Sequence, residues 1–66
     1  MQVTLNGQNK DLSENTSLTA LIDQVSKDNK RIIAEINGTI VKKEQWDQTQ
    51  LSNGDEIELV TFVGGG

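Results

Sequence analysis

Two Asn-Gly pairs, Asn6-Gly7 and Asn37-Gly38, constrain the fold of this chain more than any other feature. Both central residues of the tightest hairpin turn must take positive φ, and Asn-Gly meets that demand best. Before the first pair, Met1, Val3 and Leu5 alternate with Gln2 and Thr4, the period of a strand with one buried face. Gln8 to Leu12 reads as the returning strand. Before the second pair, Ile32, Ala34 and Ile36 alternate with Ile33 and Glu35, and a short strand over Thr39 to Val41 follows. Between the hairpins the period changes. Leu18, Leu21, Ile22 and Val25 fall at i, i+3, i+4 and i+7, one apolar stripe along a helix, with Thr19, Asp23 and Gln24 on the other side. Ser17 is the expected N-cap, its hydroxyl accepting a free amide of the first turn. Ser13 to Thr16 reads as a polar connector and Ser26 to Lys30 as a polar helix end, with Lys27 placed to favour the helix dipole.

The rest of the chain supplies one more strand. Lys42 to Gln50 is polar around Trp46 and is expected to form a helical turn and a loop, with Trp46 covering one end of the core. Ser52-Asn53-Gly54-Asp55 is a turn cluster. Glu56 to Val63 then reads as the last and longest strand. One helix covering one face of a mixed sheet of four to five strands is an α+β arrangement. With the first and last strands parallel at the centre, it is the β-grasp, or ubiquitin-like, fold. Residues 1–63 are expected to form this domain, and residues 64–66, all glycine, a flexible tail.

Composition narrows the chemistry. With 66 residues the chain has room for one modest core, and it has neither Cys nor His. Disulfides, Cys/His zinc sites and thiol nucleophiles are therefore excluded. The lack of Cys fits a reducing cytosol, and a cytoplasmic location is expected. The start, Met1-Gln2-Val3-Thr4-Leu5, has no signal-peptide pattern, and no stretch reaches the roughly 18 apolar residues of a membrane span. Six basic against ten acidic residues give a net charge of −4, which argues against a nucleic-acid partner and favours a basic protein partner. No phosphate loop, nucleophile–base pair or acid–base carboxylate pair stands out, Asp23, Asp28 and Glu35 included. The chain is not expected to catalyse a reaction on its own.

The feature that can carry chemistry is Gly64-Gly65-Gly66. Glycine has no Cβ, so its backbone can enter a narrow channel. Three extended residues reach roughly 10 Å, enough to present an α-carboxylate to another protein's active site. That carboxylate is ionised at neutral pH and is a poor electrophile until activated, most simply by ATP as an acyl-adenylate.

The chain resembles the sulfur carrier proteins of thiamin biosynthesis, a ubiquitin-like family. The resemblance covers its whole length. It is carried by Met1-Gln2-Val3, Leu5-Asn6-Gly7, Ser17-Leu18 with Leu21-Ile22, Asn37-Gly38 with Ile40-Val41, Glu44-Gln45-Trp46, Asn53-Gly54-Asp55 and the terminal glycines, in this order and spacing. Lys42 departs from the pattern, since many relatives have proline there. The resemblance implies that an E1-like adenylyltransferase activates Gly66 with ATP and that a sulfur donor such as cysteine desulfurase converts it to a thiocarboxylate. Thiazole synthase would receive the sulfur. It implies no bound cofactor. The same terminal chemistry serves the small subunit of molybdopterin synthase, whose chains are usually longer, and protein modifiers that form isopeptide bonds. A binding module with incidental glycines is the alternative from another class.

Near the tail, strand parity divides the last strand. Ile57, Leu59, Thr61 and Val63 face the core, while Glu56, Glu58, Val60 and Phe62 face outward. Val60 and Phe62 on an outer face beside the tail are the expected docking residues, because aromatic side chains are enriched at binding hot spots. Glu58, with Glu56 and Asp55, is expected to steer a basic partner.

Overall fold

The structure is a computed structural model that describes residues 1–62. The elements run β1 (Gln2–Leu5), β2 (Gln8–Asp11), α1 (Leu18–Val25), β3 (Ile32–Ile36), β4 (Thr39–Val41), a 3₁₀ helix (Lys43–Gln48) and β5 (Glu56–Thr61). The strands form one sheet in the order β2-β1-β5-β3-β4. β5 lies parallel to β1 and antiparallel to β3, and each outer pair is a hairpin. This is the expected α+β β-grasp, with five strands.

Both hairpins turn as the sequence predicts: φ is 50° at Asn6, 84° at Gly7, 52° at Asn37 and 85° at Gly38. The asparagines do more than turn. β1 ends at Leu5, and the Asn6 side chain continues its ladder, accepting from the Leu59 N–H (2.9 Å) and donating to the Leu59 carbonyl (3.3 Å). On the other side of β5, the Asn37 backbone N–H donates to the Glu56 carbonyl (2.7 Å), and its Oδ1 accepts from the Glu56 N–H (2.9 Å). Each hairpin tip thus grips the central strand. At Asn6 that double role requires an amide side chain as well as a left-handed backbone.

The Ser17 hydroxyl caps α1 by accepting from the Ala20 N–H at 3.1 Å. Leu18, Leu21 and Ile22 are fully buried among Val3, Leu12, Ile32, Ala34, Trp46, Leu51 and Ile57. Val25 does not join them. It is the last residue of the helix and is 46% exposed, because the chain turns extended at Ser26 (φ −148°) and the helix overhangs the core by that residue. Lys27 accordingly lies beyond the helix, whose last turn holds no basic residue. Thr16, in the polar connector, is buried, its hydroxyl donating to the Ser13 carbonyl at 2.6 Å. Trp46 is 3% exposed and its indole N–H donates to the Val41 carbonyl at 2.9 Å, so it closes one end of the core as expected. β5 is described as far as Thr61, and Val63, like the boundary at residues 63 and 64, lies outside the described residues.

Candidate partner-docking site

The two sides of β5 differ as its parity predicts through Leu59, but Thr61, expected to face the core, is exposed, because it ends the strand past the buried side chains. Ile57 is buried and Leu59 half-buried against the helix side, whereas Glu56, Glu58, Val60 and Phe62 are exposed. Val60 is 54% exposed and Phe62 44%. The Phe62 N–H donates to the Arg31 carbonyl at 2.9 Å, so the chain is still held against the residue preceding β3 when it reaches Phe62.

The sheet register brings two further apolar side chains to this face. Ile33, 40% exposed, stands directly opposite Val60. Ile40, 62% exposed, stands opposite Glu35, which in turn faces Glu58. Ile33 and Ile40 were not read from the sequence as site residues. The signal was present: parity sets Ile33 apart from Ile32 and Ala34, and a two-residue turn at Asn37-Gly38 forces Ile40 opposite Glu35. Four apolar side chains on one sheet face make a patch, whereas scattered exposed apolar residues need no explanation.

Beside the patch the face is acidic. Glu58 sits opposite Glu35, and Glu56 opposite Thr4 of β1. Like charges directly opposite on a sheet are unfavourable. Among the described residues the one salt bridge is between the Met1 ammonium group and Glu14, so none offsets these glutamates. They line an open groove of about 510 Å³ together with Thr4 and Asn37. Asp55 is engaged elsewhere. Its carboxylate accepts from the Ser52 N–H (2.8 Å) and the Asn37 side-chain amide (3.1 Å) and so closes the turn before β5. The groove lies at the Glu56 end of β5, and at about 3.3 Å per residue Phe62 is roughly 20 Å further along. It is therefore far from where the described chain ends. Gly64, Gly65 and Gly66 lie outside the described residues. Among the described residues no group of three or more acidic side chains is placed to hold a metal ion, and no helix is long and apolar enough to cross a membrane.

A five-stranded mixed sheet with one helix, its last strand central and parallel to the first, defines the class of ubiquitin-like β-grasp proteins. The comparisons narrow this class. The model of the ThiS family matches residues 3–66. The sulfur carrier protein ThiS of Bacillus subtilis is 36% identical over 63 residues, covering 94% of this chain and 96% of that protein. The crystal structure of the thiamine biosynthesis protein ThiS from Geobacter metallireducens superposes with a TM-score of 0.85 at 30% identity, covering all of both chains. A thiazole synthase of Paramagnetospirillum magneticum is 32% identical over all 66 residues of this chain, which spans 20% of that protein's length. The chain belongs to the ThiS family, small sulfur carriers of thiamine biosynthesis that are not themselves catalysts.

Proposed function

We propose that the chain carries sulfur on the carboxyl group of Gly66 for construction of the thiazole half of thiamin. The observation that supports this most is the extent of the family match, which runs through residue 66 and so takes in all three terminal glycines. An E1-like adenylyltransferase joins the Gly66 carboxylate to the AMP part of ATP and releases pyrophosphate. The terminal sulfur of a persulfide on a donor such as cysteine desulfurase displaces AMP, and a thiol then cleaves the resulting acyl disulfide, taking the donor's sulfur into a new disulfide and leaving a thiocarboxylate on Gly66. Thiazole synthase then receives the sulfur, a partnership supported by the thiazole synthase that contains a segment similar to this whole chain. ATP is the substrate of the activating enzyme, and no cofactor is assigned to the carrier.

The folded domain serves docking in this reading. Val60 and Phe62, with Ile33 and Ile40, give partners an apolar surface on the strand that leads to the tail, and Glu58 adds charge that attracts a basic rim. The deletion of Gly66 tests the mechanism. It moves the reactive carbon back by about 3.5 Å, as much as the whole separation of reacting atoms in a near-attack geometry. Pyrophosphate exchange with the activating enzyme should be lost. The melting curve should be unchanged, since among the described residues the buried core runs from Val3 to Ile57. Incubation of the full chain with ATP, activating enzyme and sulfur donor should replace one oxygen by sulfur in the whole-protein mass. Full exchange by the truncated chain would refute the mechanism.

A further inference from the structure

Five of the six basic residues lie in two short segments that the fold brings to one end of the sheet. Lys27, Lys30 and Arg31 occupy the connection from α1 to β3, and Lys42 and Lys43 directly follow β4. The Arg31 carbonyl accepts from the Phe62 N–H at 2.9 Å, and Ile32 stands opposite Thr61, so the first segment meets β5 where it leads to the tail. β4 and β5 are both antiparallel to β3 and therefore run the same way. β4 thus delivers Lys42 and Lys43 to the same end, two strands or roughly 10 Å to the side.

Residues 26–31 and 42–46 together hold these five cations against two carboxylates, Asp28 and Glu44, whereas the rest of the chain holds one cation, Lys10, and eight carboxylates. Asp28 is turned into its own loop, accepting from the Lys30 backbone N–H at 3.1 Å. All five basic side chains are exposed, and none forms an ion pair among the described residues. The fold does not use their charge. At physiological ionic strength exposed charges are screened beyond about 8 Å. The acidic groove at the Glu56 end of β5 is roughly 20 Å from Phe62 and does not cancel them. A partner at the tail end therefore meets cations, on a molecule whose net charge is −4.

The tail fixes which partner surface comes to this end. Residues 63–66 reach at most about 14 Å beyond Phe62, so a protein that takes the Gly66 carboxylate into its active site brings the mouth of that site here. Resting on the docking proposed above, we infer that the activating enzyme presents an acidic rim beside that mouth, complementary to Arg31, Lys42 and their basic neighbours. Glu56 and Glu58 call for the opposite sign at the far end of the same face. Apolar contacts to Ile33, Ile40, Val60 and Phe62 set no direction by themselves. Two poles of opposite sign do, because a carrier docked end for end would set like charges together. The basic end thus orients the carrier so that its tail meets the channel.

The test is calorimetric titration of the activating enzyme with the full chain and with Arg31→Glu, Lys42→Glu and Lys10→Glu, which change the net charge equally. At low salt, Arg31→Glu and Lys42→Glu should each weaken binding about five-fold, one exposed ion pair being lost and a repulsion put in its place. Lys10→Glu should stay within about two-fold of the wild type, and about 0.5 M salt should erase the differences. Equal weakening by all three would assign the effect to net charge and overturn the acidic rim. Unchanged or tighter binding by the two end variants would also overturn it. So would unaffected enzyme binding where Arg31→Glu dissolves salt-sensitive oligomers of the carrier alone, which would give the basic end to a second copy. The two readings fail separately. Pyrophosphate exchange by the full chain, with affinity indifferent to the reversals, overturns the rim and leaves the Gly66 chemistry standing. Binding that the two end reversals weaken, without exchange, does the opposite.

Discussion

Leu21→Ala and Val25→Ala remove side chains from two positions of the same helical stripe, and the structure assigns them very different costs. Leu21 is 0% exposed at the centre of the core. Truncation there should cost about 2–5 kcal/mol, the lost transfer energy plus a cavity. Total stability for a chain of this length is roughly 3–10 kcal/mol, so Leu21→Ala removes a large share of it. Val25 is 46% exposed, so only about half of its burial energy is at stake, and the alanine Cβ keeps some of that. Its truncation should cost about 1 kcal/mol or less. Trp46 is a natural reporter, because it is the only tryptophan, is 3% exposed and passes into water on unfolding. In urea, with a slope near ~1 kcal/mol/M, Leu21→Ala should lower the midpoint by about 2 M or more, and Val25→Ala by about 1 M or less. Equal shifts for the two variants would refute the placement of the helix and restore Val25 to the core.

Ser17→Ala should lower stability by about 0.5–2 kcal/mol in the same titration, since it strips the acceptor from the Ala20 N–H. Asn6→Gly keeps the left-handed turn but removes both bonds to Leu59. A loss of about 1–3 kcal/mol is expected, and an unchanged midpoint would reduce Asn6 to a turn residue. Phe62→Ala should weaken binding to the activating enzyme by more than about 1 kcal/mol, with Ile40→Ala acting in the same direction. Calorimetric titration giving wild-type affinity for both would remove the patch from the interface.

Sequence patterns were most informative where the local rule was also the global one. Positive φ at Asn6-Gly7 and Asn37-Gly38 is a property of four neighbouring residues, and it fixes two of the four strand pairings. The alternation in β5 correctly separated Ile57 and Leu59 from Val60 and Phe62. What stayed hidden depends on distant partners. Val25 fits the helical stripe perfectly well, and only the end of the helix relative to the core exposes it. Asp55 reads as one more acidic surface residue until the fold brings Asn37 to it. Ile33 and Ile40 join Val60 on one exposed face only because β3 pairs with β5 on one side and β4 on the other. Pairing across a sheet is a long-range fact, and one chain's periodicity shows the face of each strand without showing its neighbours.

β5 is the last strand in sequence and the middle strand of the sheet. Its bonds to Asn6 join residues 53 positions apart. Either hairpin can close through local contacts, but until β5 is inserted the two hairpins share no edge, and contacts of such long range are the slow ones in folding. During synthesis, then, the strand that leads to the glycines is made last and acts as the keystone. Ile33, Ile40, Val60 and Phe62 lie on three strands and become one surface only when the keystone is seated. A partner that docked on this surface would thereby read the finished fold, since no half-made chain presents it.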